Sequence, residues 1–137
     1  MTYDFHVTGH PATQGSKKAF KRGKKVVLVE MDPKLPAWRQ AVKDAAEVTR
    51  GALDPLDGAL TVIVDFFMPA PAKSKFGDKP AGPPDLDKLQ RAVGDALTAS
   101  GIIADDARIV RWVAQKHWAL DEPGAHIRIA PASSAMD

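Results

Sequence analysis

The sequence predicts a small α+β domain: a mixed β-sheet packed with two main helices, in the order β-β-α-β-α-β-β. Three observations carry this. Alternation along "ALTVIVDFFM" (59–68) marks a half-buried strand. Apolar residues recur at helical spacing in two separate segments, and short strand-like runs bounded by turn residues stand at both ends. At 137 residues, the chain fits a single domain spanning 1–137 by the prior of roughly 100–200 residues per domain.

Taken in order, "YDFHVTG" (3–9) reads as a first strand and "KKVVLVE" (24–30) as a second, joined by a basic, glycine-punctuated connection. Asp32 and Pro33 form a helix-start signal, and Leu35, Trp38, Val42, Ala45 and Ala46 recur at helical spacing up to a stop at Gly51. The strand at 59–68 puts Leu60, Val62, Val64, Phe66 and Met68 on one face and a mixed set (Thr61, Ile63, Asp65, Phe67) on the other. "PAPAKSKFGDKPAGPP" (69–84) is a long loop with three lysines, a length usually tied to function or mobility. Leu89, Val93, Ala96 and Leu97 define a second helix from about Asp85 to before Gly101. Ile109 to Leu120 reads as a strand with Val110, Trp112, Ala114, Trp118 and Leu120 on one face; "AHIRIA" (125–130) is the last strand, and 131–137 is read as frayed.

Composition narrows the chemistry. There is no cysteine, which excludes disulfides and thiolate metal or redox sites. No run approaches a membrane span and the start lacks a signal-peptide pattern, so the expectation is a cytoplasmic protein without a membrane partner. The net charge of +2 hides a run, "GSKKAFKRGKK" (15–25), with six cations and no acid. The acids are lopsided too: 14 Asp against three Glu, a bias that suits turns, caps and compact oxygen ligation of hard cations.

Five aspartates crowd the middle of the chain: Asp85, Asp87 and Asp95, then Asp105 and Asp106. An Asp-x-Asp pair alone is weak, since about 1.4 are expected by chance at this composition. Caps and a solvated face would also account for them. Asp85 is a natural N-cap, Asp87 suits the first turn, and Asp87–Arg91 and Arg91–Asp95 are i,i+4 pairs. Against this, a helix N-terminus favours anions, a turn at Gly101 could bring Asp106 back, and the neighbouring loop is basic. Acid ligands bordered by cations are what metal-assisted phosphodiester cleavage requires. An EF-hand fails, because Gln90 and Ala96 stand where Gly and Glu are needed. No P-loop or GxGxxG occurs. His6, His10, His117 and His126 are scattered without HExxH spacing and read as surface or packing residues rather than ligands.

The segment "PDLDKLQRAVGDAL…DDARIV" resembles the core motif of RusA-type Holliday-junction resolvases, Pro-Asp-x-Asp-Asn-Leu-x-Lys-x-x-x-Asp-Ala-Leu followed by Asp-Asp. The match is firm over about Pro84 to Lys116 and looser over the whole chain. The resemblance implies a homodimeric, Mg²⁺-dependent endonuclease, with Mn²⁺ as a substitute ion, that resolves four-way junction DNA by paired symmetric nicks in recombination and repair. Its metal-binding, catalytic aspartates fall on Asp85, Asp87 and Asp106, with Asp105 and Asp95 in support. Two positions depart from the motif. Lys88 stands for the usual Asn and Arg91 for the usual catalytic Lys; Arg91 keeps the charge but cannot transfer a proton. Lys116 falls at the family's strand lysine, either snorkelling past the tryptophans or aimed at the carboxylates or phosphate. DNA-backbone contacts are expected from Lys17, Lys18, Lys21, Arg22, Lys24 and Lys25 and from Lys73, Lys75 and Lys79. The tryptophans read as core or interface residues. The alternatives are a non-cleaving, junction-binding architectural protein and, more weakly, an Asp-based metal phosphatase.

Overall fold

The computed structural model describes residues 1–15, 17–30 and 32–132. Strands β1 (Tyr3–Thr8), β4 (Leu60–Met68), β5 (Ile109–Trp118) and β6 (Gly124–Pro131) form one sheet in the order β1-β6-β4-β5. Only β4 and β5 run parallel, which is why helix α2 (Leu86–Ser100) lies between them in sequence: a parallel pair needs a crossover. Helix α1 (Leu35–Arg50) packs against β1 and α2.

Both helices cover one face of the sheet. Leu60, Val62, Val64, Phe66 and Met68 all point into that layer and are buried, as the alternation predicts. They meet Tyr3, Phe5 and Val7 of β1, Ala125, Ile127 and Ile129 of β6, and the stripes Leu35, Trp38, Val42, Ala46 and Leu89, Val93, Ala96, Leu97 of the helices. These residues form one apolar cluster, so truncating any of the largest to Ala should cost about 2–5 kcal/mol. The other sheet face carries no helix.

Four details depart from the sequence reading. The basic connection at 15–25 contains a strand, β2 (Lys17–Arg22), paired antiparallel with β3 (Lys25–Glu30) in a separate two-stranded ribbon. Strand β2, with the sequence Lys-Lys-Ala-Phe-Lys-Arg, carries no apolar alternation for periodicity to detect. Its signature is the two-residue loop: Gly23 has φ +63° at the first loop position, as a type II′ hairpin turn requires. Helix α1 begins after Lys34 rather than at Asp32, with Pro36 in its first turn. The Asp32 carboxylate instead joins the two ends of the ribbon, accepting from the Thr13 and Lys34 N–H groups at 2.9 and 3.0 Å.

On β5, Val110 is exposed because the register with β4 shifts between Ile109 and Arg111, which bulges Val110 out of the pairing, and Leu120 lies beyond the strand end, fully exposed. The fraying expected from 131 does not include Pro131, which pairs with Leu60, or Ala132, whose N–H donates to Ala59 O. Residues 133–137 lie outside the described residues. Among those described, no helix is long and apolar enough to cross a membrane.

Candidate active site

Helix α2 ends at Gly101 in the left-handed conformation, and Ser100 ties the exit by donating to Leu97 O and accepting from the Ile102 N–H. Ile102 and Ile103 are then fully buried, with Leu56 N–H bonded to Ile102 O and Ala104 N–H to Leu56 O. This forces the chain back along α2 and delivers the short 3₁₀ turn Asp106–Arg108 beside it. The two adjacent aspartates divide the work. Asp105 caps the turn by accepting from the Ala107 N–H, and Asp106 faces α2.

That approach depends on Gly94. It is buried, and a Cβ there would sit 3.6 Å from both Asp106 Cβ and Trp112 Cζ2. Any longer side chain would wedge the turn away. The result is a cleft of about 190 Å³ lined by Asp87, Gln90, Arg91, Gly94, Asp106 and Trp112. Two carboxylates from separate segments, the helix and the turn beyond it, therefore share a single cavity with one guanidinium.

The charges explain one another. Asp106's carboxyl is pushed above the usual carboxylate range by its hydrogen bond with Asp105, by partial desolvation and by the charges of Asp105 and Asp95. Asp105 is lowered by the Ala107 N–H and by the same bond with Asp106. A cation in the cleft would relieve this crowding.

The solvated salt-bridge face does not form. Among the described residues Arg91 makes no ion pair, with Asp87 or with Asp95. Asp95 instead accepts from Gln14 Nε2 and lies 4.0 Å from Arg39. Arg91 lies against the ribbon's entry, where a Cβ on Gly15 would be 2.6 Å from its Nη1. The Gln14 N–H also donates to Lys88 O, so the ribbon springs directly from the flank of α2 beside the cleft.

Asp85 occupies the N-cap position but makes no side-chain cap bond. Its carboxylate pairs with Lys88 Nζ at 3.2 Å and lines a neighbouring cleft with Thr13, Asp32 and Pro33. The three sequence-predicted aspartates are therefore grouped as two plus one, and Lys88 stands with Asp85 while Arg91 stands with Asp87 and Asp106. Lys116 is aimed at neither carboxylates nor solvent. Half-buried on the helix-covered face, its Nζ donates to Gly82 O and Pro84 O at 2.9 and 2.8 Å. With Trp118 Nε1 donating to Gly77 O, it pins the long loop where it enters α2. A lone lysine on an apolar strand face signals an unusual role in sequence, but not that its partners are main-chain carbonyls.

Of the expected DNA contacts, Lys21, Arg22, Lys24 and Lys25 are exposed on the ribbon, and Lys73, Lys75 and Lys79 are exposed on the pinned loop. For Lys17 and Lys18 only the strand position is described. Trp38 is core, while Trp112 and Trp118 are partly buried against it.

A fold of two helices on a four-stranded mixed sheet, with acids and an arginine in a cleft beside a basic ribbon, defines a candidate phosphodiester-acting site. The family model described as Endodeoxyribonuclease RusA matches residues 8–130, and the chain belongs to that family. Membership makes it a nuclease of the endodeoxyribonuclease class that acts on junction DNA. No curated protein matches the chain closely enough to add a relative.

Proposed function

We propose that the protein is a Mg²⁺-dependent resolvase that works as a homodimer, cutting four-way DNA junctions by paired symmetric nicks in recombination and repair. The observation that carries this is the shared cleft of Asp87, Arg91 and Asp106, opening beside the basic ribbon. Its ligand set fits a hard cation: two carboxylates and the Gln90 amide oxygen, with no sulfur or imidazole. Asp85 joins only by leaving Lys88, and an exposed pair of this kind is worth about 0–1 kcal/mol, so the swing is cheap. Mg²⁺ bound there supplies charge neutralisation of the phosphate and a water of lowered pKa, and Mn²⁺ can take its place.

The chain's own groups do the rest. Arg91 is always charged, so it serves to stabilise charge developing on the phosphate rather than to move a proton. The first-turn N–H groups of α2 present partial positive charge to the same anion. Ribbon and loop cations hold the flanking backbone. One chain offers one such cleft among the described residues, and two symmetric cuts call for a second related by a two-fold axis.

The test is cleavage of a synthetic four-way junction labelled in turn on each strand, with linear duplex as control, in Mg²⁺, in Mn²⁺ and in chelator. Metal-dependent nicks at symmetric positions, with a dimer in sedimentation, are expected. Equal cutting of linear duplex would sink the junction reading. Binding without nicking would favour the architectural alternative.

A further inference from the structure

The uncovered face of the sheet carries a second, chemically different cluster. Strand register sets His6 directly opposite His126, and their rings stack with centroids 4.2 Å apart and planes at 12°. Directly opposed cross-strand residues have Cβ atoms about 4.5–5.5 Å apart, so both imidazoles reach the same point above the sheet. Asp4, the diagonal neighbour, places Oδ1 2.6 Å from His126 Nε2. One ligand atom from each of Asp4, His6 and His126 lies within 4.8 Å of the others. Among the described residues no other group of three or more His, Asp or Glu comes as close together.

We propose that Asp4, His6 and His126 form a binding site for a borderline divalent transition cation such as Zn²⁺, separate from the acid cleft. Two imidazoles and one carboxylate suit Zn²⁺ and disfavour Mg²⁺, which prefers oxygen alone. Tetrahedral zinc with bonds of about 2.0–2.1 Å needs ligand atoms about 3.4 Å apart and each ring plane turned onto the ion, so the two imidazoles must leave their stack and turn about their Cβ–Cγ bonds to bind. Asp4 and His6 are exposed and His126 half-buried, so the ion has an open approach and water can complete its shell. The alternation of β1 aims Tyr3, Phe5 and Val7 at the core and Asp4 and His6 away from it, so the site lies on the face opposite the helices and the acid cleft. Arg128, opposite Asp4 in register, would weaken cation binding, but its guanidinium is drawn towards Asp65, 3.7 Å away, which also holds His117. An ion here would clasp edge strand β1 to β6.

The full-length chain in excess Mg²⁺ should take up one Zn²⁺ per chain by calorimetry, with ring resonances of His6 and His126 shifting together and melting temperature rising. His6→Gln and Asp4→Asn, both exposed changes, should each weaken binding at least as far as the roughly 10–100-fold that loss of an outer-shell partner costs a metal site. The double variant Asp87→Asn/Asp106→Asn should bind Zn²⁺ as wild type does. Absence of uptake by wild type overturns the proposal, as does wild-type affinity in both His6→Gln and Asp4→Asn. Loss of uptake in the Asp87/Asp106 variant would move the ion to the acid cleft and overturn it equally.

Discussion

Replacing Lys116 with Met keeps the aliphatic stem and removes the ammonium that holds the loop. Two hydrogen bonds disappear, to Gly82 O at 2.9 Å and Pro84 O at 2.8 Å. Bonds to charged groups contribute about 1.5–3 kcal/mol each, but Gly82 and Pro84 are only half-buried and water recovers part of that energy. The expected cost is about 1–3 kcal/mol in total, a fall in melting temperature of about 3–10 °C for a chain of this size. Pro84 immediately precedes Asp85, so loosening it displaces the start of α2, and nicking should fall about 10–100-fold through misplacement. Hydrogen exchange at 77–85 should speed up at the same time. A lysine acting directly on the phosphate predicts a different pattern: abolished nicking, unchanged melting and unchanged exchange. That pattern would refute the positioning role.

Asp87→Asn and Asp106→Asn should each lower nicking by orders of magnitude while junction binding persists, because the interaction removed belongs to the transition state. Asp106→Asn should also melt higher than wild type without metal. A carboxyl raised by its neighbours destabilises the fold above its folded pKa and ceases to do so below its unfolded one, so the advantage should hold at neutral pH and vanish once the pH falls below the ordinary carboxylate range. Gly94→Ala should be tolerated, gaining up to about 1 kcal/mol in helix propensity, whereas Gly94→Leu should push Asp106 from the cleft and abolish nicking in a folded protein; retained activity in Gly94→Leu would show that the close approach is dispensable. Replacing Lys21, Lys24 and Lys25 with Ala should flatten the salt dependence of junction binding, by about 0.9 in slope for each phosphate no longer neutralised. An unchanged slope would take the ribbon out of the interface.

Where a segment packs against the core, its periodicity is legible. Leu60 to Met68 and the stripes of α1 and α2 are each half-buried, so burial leaves a period of 2 or 3.6 in the residues themselves. The Asp85–Asp87…Asp105–Asp106 spacing around a helix and a glycine turn is equally readable, because it is carried by one continuous stretch. Strand β2 is not, since four cations among its six residues leave no apolar alternation to read. Nor does spacing show that Arg91 ignores both of its helical neighbours. That follows from Gly15 and Gln14 crossing α2, residues far from it in sequence, with 81 positions between Gln14 and its partner Asp95. The meeting of Asp4 and His6 with His126 depends on the register between the first and last strands, 122 positions apart for the bonded pair. Lys116 likewise reads as an anomaly on its strand and acquires a partner only when the loop closes over it. Local patterns record which face of an element is buried; which elements then touch is set by the packing of the whole chain.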